Sequence, residues 1–331
     1  MSDLHPLVAP LDRHRFCSIA SPLNSREFIA GLAGSITSMS SSVSWQAFQS
    51  RLACPACGGT LGQSTGNLRC EGCGEQYPII SNGELPVLIP KQSELAPAVP
   101  SYLSWTRVGE KGLRKKGYRE VRRLPPTSIP RIAEPQREAF LKQIEGKWVL
   151  NIGAGFRTIL SGDHWVNLDI SPHNNVDIIA DGHFLPFKDG SFDAVTSNSV
   201  FEHLKDPFRV AAEVKRILKP GGLVWCDVPF SYPVHGSPHD FFRYTLGGLK
   251  SIYAGLEPVD MGPTKGPFAS IARFGEVAAD TLFPGSLGFA FRWVIAWSLF
   301  GFKFLDPYIV RKNPDAGTAF YFLARKPETA N

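Results

Sequence analysis

Residues 148–158 read WVLNIGAGFRT, a short apolar run that stops at a Gly153-x-Gly155 pair. Such a run reads as a strand feeding a ligand-binding turn, where glycine lets the backbone approach a ligand closely. A dinucleotide fingerprint would add a third glycine three residues later and an acid about 20 residues further on. Thr158 occupies the third-glycine position, and no Gly-Lys-Ser/Thr follows. The turn is therefore neither a pyrophosphate fingerprint nor a phosphate loop. Alone, the glycine pair fits a cofactor turn or an ordinary strand-to-helix turn.

The flanking sequence alternates strand and helix. EPQREAFLKQIEG has helical spacing and precedes the strand WVLNI. HWVNLDIS is a second strand ending in Asp169, VDIIAD a third ending in Asp181, FDAVTSNS a fourth, and GLVWCDVPF a fifth. DPFRVAAEVKRIL is an amphipathic helix with Asp206 placed as its N-cap, stopped by KPGG. Repeated βα units predict a parallel sheet with helices on both faces and ligands at the C-terminal strand ends. Asp169, fourteen residues after Gly155, stands where a carboxylate can accept both hydroxyls of a ribose. Asp181 can reach an adenine amino group. A ligand with ribose and adenine but no phosphate requirement fits S-adenosylmethionine.

The ordered segments NIGAG, VNLDI, ADGHFLPFKDGSFDAVTSNSVFEHLKDP and AAEVKRILKPGGLVWCDVP, from about Val149 to Pro229, resemble the class I S-adenosylmethionine-dependent methyltransferases of the type 11 group. That group includes the quinone C-methyltransferases. The resemblance implies a Rossmann-like seven-stranded sheet, with AFYFLARK as its last strand. It implies that Gly153 and Gly155 line the methionine moiety and that Asp169 holds the ribose. Asp181, Gly182 and His183 would face the adenine, with Asn198 and Ser199 closing the pocket near the sulfonium. The family commonly has Asp or Glu where this chain has Asn151, orienting the cofactor's ammonium group. Asn accepts a hydrogen bond but lacks the charge, which keeps a non-catalytic cofactor-binding scaffold among the alternatives.

Four of the six cysteines form Cys54-x2-Cys57 and, twelve residues later, Cys70-x2-Cys73. Two such knuckles make a closed four-thiolate site, the signature of structural zinc. The stretch to Pro90, ending YPIISNGELPVLIP, is similar to the small zinc-ribbon proteins that activate RNA and protein methyltransferases. Cys226 sits in an apolar strand and reads as a small hydrophobe. The opening residues MSDLHPLVAPLDRHRF carry no apolar secretory core. A reducing, cytoplasmic setting is expected, with disulfides unfavoured.

Apolar content of 43% and charged content of 20% describe a globular chain, and a net charge of +5 does not by itself demand nucleic acid. The basic stretch Trp105–Arg123 carries eight Lys/Arg against two Glu. It fits a solvated connector or a phosphate-binding patch on RNA, lipid head groups or a pyrophosphate-linked carrier. The expected organisation is an arm over 1–48, a zinc ribbon over 49–92, a basic linker over 93–133 and a methyltransferase domain over 134–331.

Methyl transfer mainly requires alignment, and proton removal if the acceptor is a hydroxyl. Glu202 and His203 follow the fourth strand, and either could be that base. The loop SYPVHGSPHDFFRYT adds His239 or Asp240 as base candidates and Arg243 with Tyr244 for substrate contact, or it is a structural loop pinned by an Asp–Arg pair. The motif resembles one found in methyltransferases of polysaccharide or glycolipid pathways. An apolar, aromatic-rich segment spans 262–310. Its core, SLGFAFRWVIAWSLFGFKFLDPYIV, is interrupted by Arg292 and Lys303 and is short for a bilayer span. A buried lid or homodimer helix, an interfacial membrane helix on the inner face, and a pocket for a lipid-linked acceptor all fit. The leading expectation is a methyltransferase acting on a glycan, a lipid-linked glycan or another small acceptor. An RNA methyltransferase is the rival.

Overall fold

The computed structural model describes residues 44–103, 132–155, 162–236, 239–283 and 285–328. The basic stretch 105–123, Cys17 and most of the expected N-terminal arm lie outside the described residues.

The sheet order is built around the strand that opened the sequence reading. β5 (Val149–Ile152), β6 (Trp165–Asp169), β7 (Ile178–Ala180), β8 (Phe192–Asn198) and β9 (Leu218–Pro229) run parallel. With β10 (Glu257–Lys265) and β11 (Ala319–Arg325) they stand in the order β7-β6-β5-β8-β9-β11-β10. β11 is antiparallel to both of its neighbours. The order reverses between β5 and β8, which leaves a crevice at their C-terminal ends, where open α/β sheets bind ligands.

Alternation along the strands serves two apolar faces. Leu150, Val195, Val224 and Phe322 face α4 (Pro207–Ile217) and α5 (Leu246–Ile252). Val149, Ala194, Trp225 and Tyr321 face α3 (Glu134–Gln143), with Phe140 stacked on Trp225 and Trp225 on Tyr321. Asp206 caps α4 by accepting from the Arg209 amide at 3.0 Å, and the helix ends at Ile217, ahead of Pro220. β10 was not expected from EPVDMGPTK, which carries two prolines and three charges. It forms on the sheet edge, and its ladder shifts register at both prolines, between Pro258 and Asp260 and between Pro263 and Lys265.

The cysteine-bearing segment forms β1 (Leu61–Ser64), β2 (Asn67–Cys70), β3 (Gln76–Ile80) and β4 (Leu85–Leu88), paired antiparallel in succession. β4 then pairs parallel with β7, Val87 opposite Ile179 and Leu88 opposite Ala180. The ribbon and the large sheet are thereby hydrogen-bonded into one. The short α1 (Trp45–Phe48) buries Trp45 and Phe48 in the same cluster as Leu68, Tyr77, Leu185 and Phe187. Packing therefore begins before residue 49. After β4 the chain forms α2 (Val99–Tyr102), and Leu95, Ala96, Val99 and Tyr102 pack over Ala154 and Ile179.

α6 (Pro267–Leu282) and α7 (Ser286–Phe300) form a helical hairpin, followed by α8 (Asp306–Lys312). The 27-residue stretch Ser286–Lys312 is long and apolar enough to cross a membrane by length and composition. Arg292, Lys303 and Asp306 turn inward, whereas Arg311 and Lys312 at its end are exposed. Arg292 pairs with Asp280 of α6 at 3.4 Å, and Lys303 is buried within the fields of Glu276 and Asp306. Asp306 caps α6 by accepting from the Phe268 and Ala269 amides. The aromatic side chains turn outward: Phe289, Trp293, Trp297 and Phe304 are 41%, 42%, 46% and 61% exposed.

Candidate functional site

The turn after β5 has no room for a side chain at its first glycine. Gly153 has φ +73°, and a Cβ there would stand 2.2 Å from Val200 Cγ2. Gly155, at φ +60°, donates its amide to Asp169 Oδ2 at 2.7 Å, while the Ser171 amide donates to Asp169 Oδ1 at 3.0 Å. The second strand's acid is thus held beside the glycine turn.

Asn151 has a local explanation. Its Nδ2 donates to Asn167 Oδ1 at 2.9 Å, while the Asn167 amide nitrogens donate to Asp177 Oδ2. Asp177 can only accept, so Asn167 must present its oxygen to residue 151. An amide satisfies that oxygen, whereas a carboxylate would oppose it.

Asp181 is buried and surrounded by donors. It accepts from Ser93 Oγ at 2.6 Å, from the His183 amide at 3.0 Å and from His183 Nδ1 at 2.7 Å. Burial alone would raise its carboxyl, but the His183 and Ser93 hydrogen bonds outweigh it and hold the group below its ordinary range. Gly182 is buried against Val210. Tyr102 donates to the Ile170 carbonyl at 2.8 Å, and burial followed by the Asp169 charge raises its phenol. Ser93 and Tyr102 lie in the span expected to be linker, and sequence reasoning assigned neither. The only local signal was the serine ahead of Ala96–Pro97, whose hydroxyl also accepts from the Leu95 amide.

Across the crevice, Asn198 ends β8 and Ser199 takes φ +52°, donating its amide to the Asp227 carbonyl at 2.8 Å. The next turn delivers Glu202 and His203. The 231–245 loop folds back on it: the Phe241 and Phe242 amides donate to the Glu202 carbonyl, and Tyr244 donates its hydroxyl to the Phe201 carbonyl at 2.8 Å. Burial raises the Tyr244 phenol. Arg243 is engaged inside this loop. It grips Asp240 through both terminal nitrogens and also donates to the Tyr232, Pro233 and Phe242 carbonyls. The guanidinium holds the Asp240 carboxyl down at about 2. His239 contributes its carbonyl, which accepts from His203 Nδ1 at 2.5 Å. His235, not among the residues singled out from sequence, is brought against Glu202 and His203 instead.

The four cysteines converge within 4.8 Å of one another. The two knuckles repeat one backbone pattern. The Cys54 and Cys70 amides donate to the Gly59 and Glu75 carbonyls, and the Gly58 and Gly74 amides donate back to the Cys54 and Cys70 carbonyls. Gly58 and Gly74 share φ +75°. A Cβ on Gly59 would stand 3.1 Å from Cys70 Sγ. The set fits one tetrahedral zinc ion, held by Cys54, Cys57, Cys70 and Cys73. Burial pushes the Cys54 thiol up to about 12, so metal binding must release its proton.

The strand order, the glycine turn and the acids at the ends of β6 and β7 define a class I methyltransferase fold. Residues 157–226 match the type 11 family model described as a methyltransferase domain. An uncharacterized methyltransferase of Mycobacterium sp. (strain KMS) is 36% identical over 72 residues, covering 22% of this chain and 29% of that protein. The demethylmenaquinone methyltransferase of Renibacterium salmoninarum is 44% identical over 81 residues, 24% of this chain and 33% of that protein. The chain thus spans about a third of the length of these curated relatives. The phosphoethanolamine N-methyltransferase 2 of Haemonchus contortus, solved with S-adenosyl-L-methionine, aligns at 18% identity over 62% of this chain and 55% of its own, with a TM-score of 0.37.

One zinc per chain is expected to co-purify, and Cys54→Ser or Cys73→Ser to abolish it; elemental analysis of freshly reduced protein checks this. The depressed Asp240 carboxyl contributes stability above the ordinary carboxylate value of about 4. That stability is lost as pH falls toward about 2. Asp240→Asn should therefore lower stability at neutral pH by about 1.5–3 kcal/mol, as for a hydrogen bond to a charged group. The deficit should shrink on acidification, as read from urea midpoints against pH.

Proposed function

We propose that this chain transfers the methyl group of S-adenosylmethionine to a small acceptor, a glycan or lipid-linked glycan met at a membrane surface. The observation that carries the first half is the crevice at the strand-order reversal. There Gly153 leaves no room for a side chain and Asp169 is fixed at its rim by two backbone amides. Gly153 and Gly155 would pass the methionine moiety, Asp169 would accept the ribose hydroxyls, and Asp181, Gly182 and His183 would face the adenine. Asn198 and Ser199 would border the sulfonium. When bound, the cofactor supplies an already activated methyl group, and the chain's task is alignment and water exclusion. Asp240 is a poor base at neutral pH, since Arg243 holds it at about 2. Arg243 and Asp240 then act together to position the loop, and the histidines beside Glu202 are the better-placed groups on the acceptor side.

The membrane half rests on the α6–α7 hairpin, which pairs its charges with one another and exposes its aromatic side chains. That polarity suits a helix lying at a lipid interface with tryptophans at head-group level.

Asp169→Ala should weaken cofactor binding by roughly 1.5–3 kcal/mol, the range for hydrogen bonds to charged groups; unchanged affinity by calorimetry would remove the cofactor assignment. Labelled-methyl transfer against fractionated glycolipid and RNA then tests the acceptor class. Replacing Trp293 and Trp297 together by Ser should lower co-sedimentation with anionic vesicles while cofactor binding survives. Steeply salt-dependent RNA binding without vesicle binding would replace the glycan reading by an RNA one. A double variant that fails to fold would point to a buried lid or dimer helix.

A further inference from the structure

Three side chains beside the crevice form an arrangement that the methyl-transfer reading does not require. Glu202 is fully buried, and neither carboxylate oxygen has a hydrogen-bond partner among the described residues. His235 Nε2 lies 3.6 Å and His203 Nε2 3.9 Å from the same oxygen, Glu202 Oε1.

The far side of each ring fixes the protonation of the near side. His203 Nδ1 meets the His239 carbonyl at 2.5 Å. His235 Nδ1 meets the Pro233 carbonyl at 3.2 Å and Asp240 Oδ2 at 3.3 Å. A carbonyl only accepts, so both Nδ1 atoms carry the hydrogen and donate. In the neutral tautomer each Nε2 then offers a lone pair toward the buried carboxylate. Two lone pairs and an anionic oxygen face one small space, an arrangement that a bound cation satisfies.

The distances separate a metal ion from a shared proton. Both exceed the range of about 2.7–3.2 Å for an N–H···O bond. They lie close to the ligand–ligand edge of a tetrahedron with bonds of about 2.1 Å, roughly 3.4 Å. The second layer is also complete. Ligating histidines commonly donate their other N–H to a carbonyl or carboxylate, which sets the ring's orientation. Here the acceptor for His235 Nδ1 is the Pro233 carbonyl, and Asp240, itself gripped by Arg243, accepts from the His235 backbone amide and stands 3.3 Å from the ring.

We propose that Glu202, His203 and His235 bind a divalent first-row transition ion at a site separate from the four-cysteine site. Two imidazoles and one carboxylate leave coordination positions open, as sites that act on bound oxygen ligands do. His203 and His235 remain partly exposed while Glu202 is enclosed, so the open positions face solvent on the crevice side. A hydroxyl or carboxylate oxygen is the ligand class that would occupy them. That use rests on the methyl-transfer reading, whereas ion binding does not.

The test is a Co2+ titration of the full-length, metal-stripped and reduced chain, without cofactor or acceptor. The ribbon should take one equivalent with intense thiolate charge-transfer absorption. A second equivalent should add only weak visible bands and broaden the ring resonances of His203 and His235, but not those of exposed His164 ahead of the N-terminal end of β6. His203→Ala and His235→Ala should each remove the second equivalent and keep the thiolate bands, which also report an intact ribbon. Saturation at one equivalent, with unbroadened His203 and His235 signals in the unmodified chain, would overturn the proposal in favour of a histidine–glutamate ion pair. S-adenosylmethionine binding measured on the same samples separates the two readings: its absence leaves the ion site standing, and its presence beside a single equivalent sinks the ion site alone.

Discussion

The two-residue parallel pairing of β4 with β7 is the interaction on which the rest of the structure depends. Without it β7 would be the edge of the large sheet, with unpaired N–H and C=O groups along one side. With it, a ribbon too small to bury a core of its own shares one with the larger sheet. The pairing also sets the path of the chain. Leaving β4, residues 93–102 must cross the C-terminal ends of the strands, which brings Ser93 to Asp181 and Tyr102 to the Ile170 carbonyl. The knuckles hold the ribbon, the ribbon holds β4, and β4 fixes the path of residues 93–102 along the crevice.

The α6–α7 hairpin inverts the polarity usual in a soluble helix pair. A surface helix normally turns its apolar stripe inward and its charges outward. Here Glu276, Lys303 and Asp306 are buried, while much of the aromatic surface faces out. Gly288 explains part of the close approach, since a Cβ there would stand 1.8 Å from the Phe283 carbonyl oxygen. Internally paired charges and an apolar exterior suit a lipid boundary better than water, which is the ground of the membrane proposal.

The 231–245 loop shows how backbone carbonyls can determine side-chain chemistry. Pro233 and His239 act through their carbonyl oxygens alone, yet they decide which imidazole nitrogen faces Glu202. Arg243 and Asp240, attractive from sequence as a substrate anchor and a base, are joined to each other. They hold this loop in the shape that brings His235 to the cluster.

The sequence by itself determined the parallel core, the helices α3 and α4 and the thiol cluster. Buried parallel strands must be continuous apolar runs, a helix start must satisfy its free amides, and a CxxC knuckle is set by bonds within six residues. Those signals are local, and they survive in the linear order of residues. Asp169 and Asp181 were legible for the same reason, being the polar residues that end apolar strands. Ser93, Tyr102 and His235 were not, nor were the outward aromatics of α7. The Ser93–Asp181 bond spans 88 positions and the Tyr102–Ile170 bond 68. The tertiary structure alone decided which of several serines, tyrosines and histidines would be brought to the crevice, because that choice follows from strand pairing and chain path, and neither has a short-range sequence pattern.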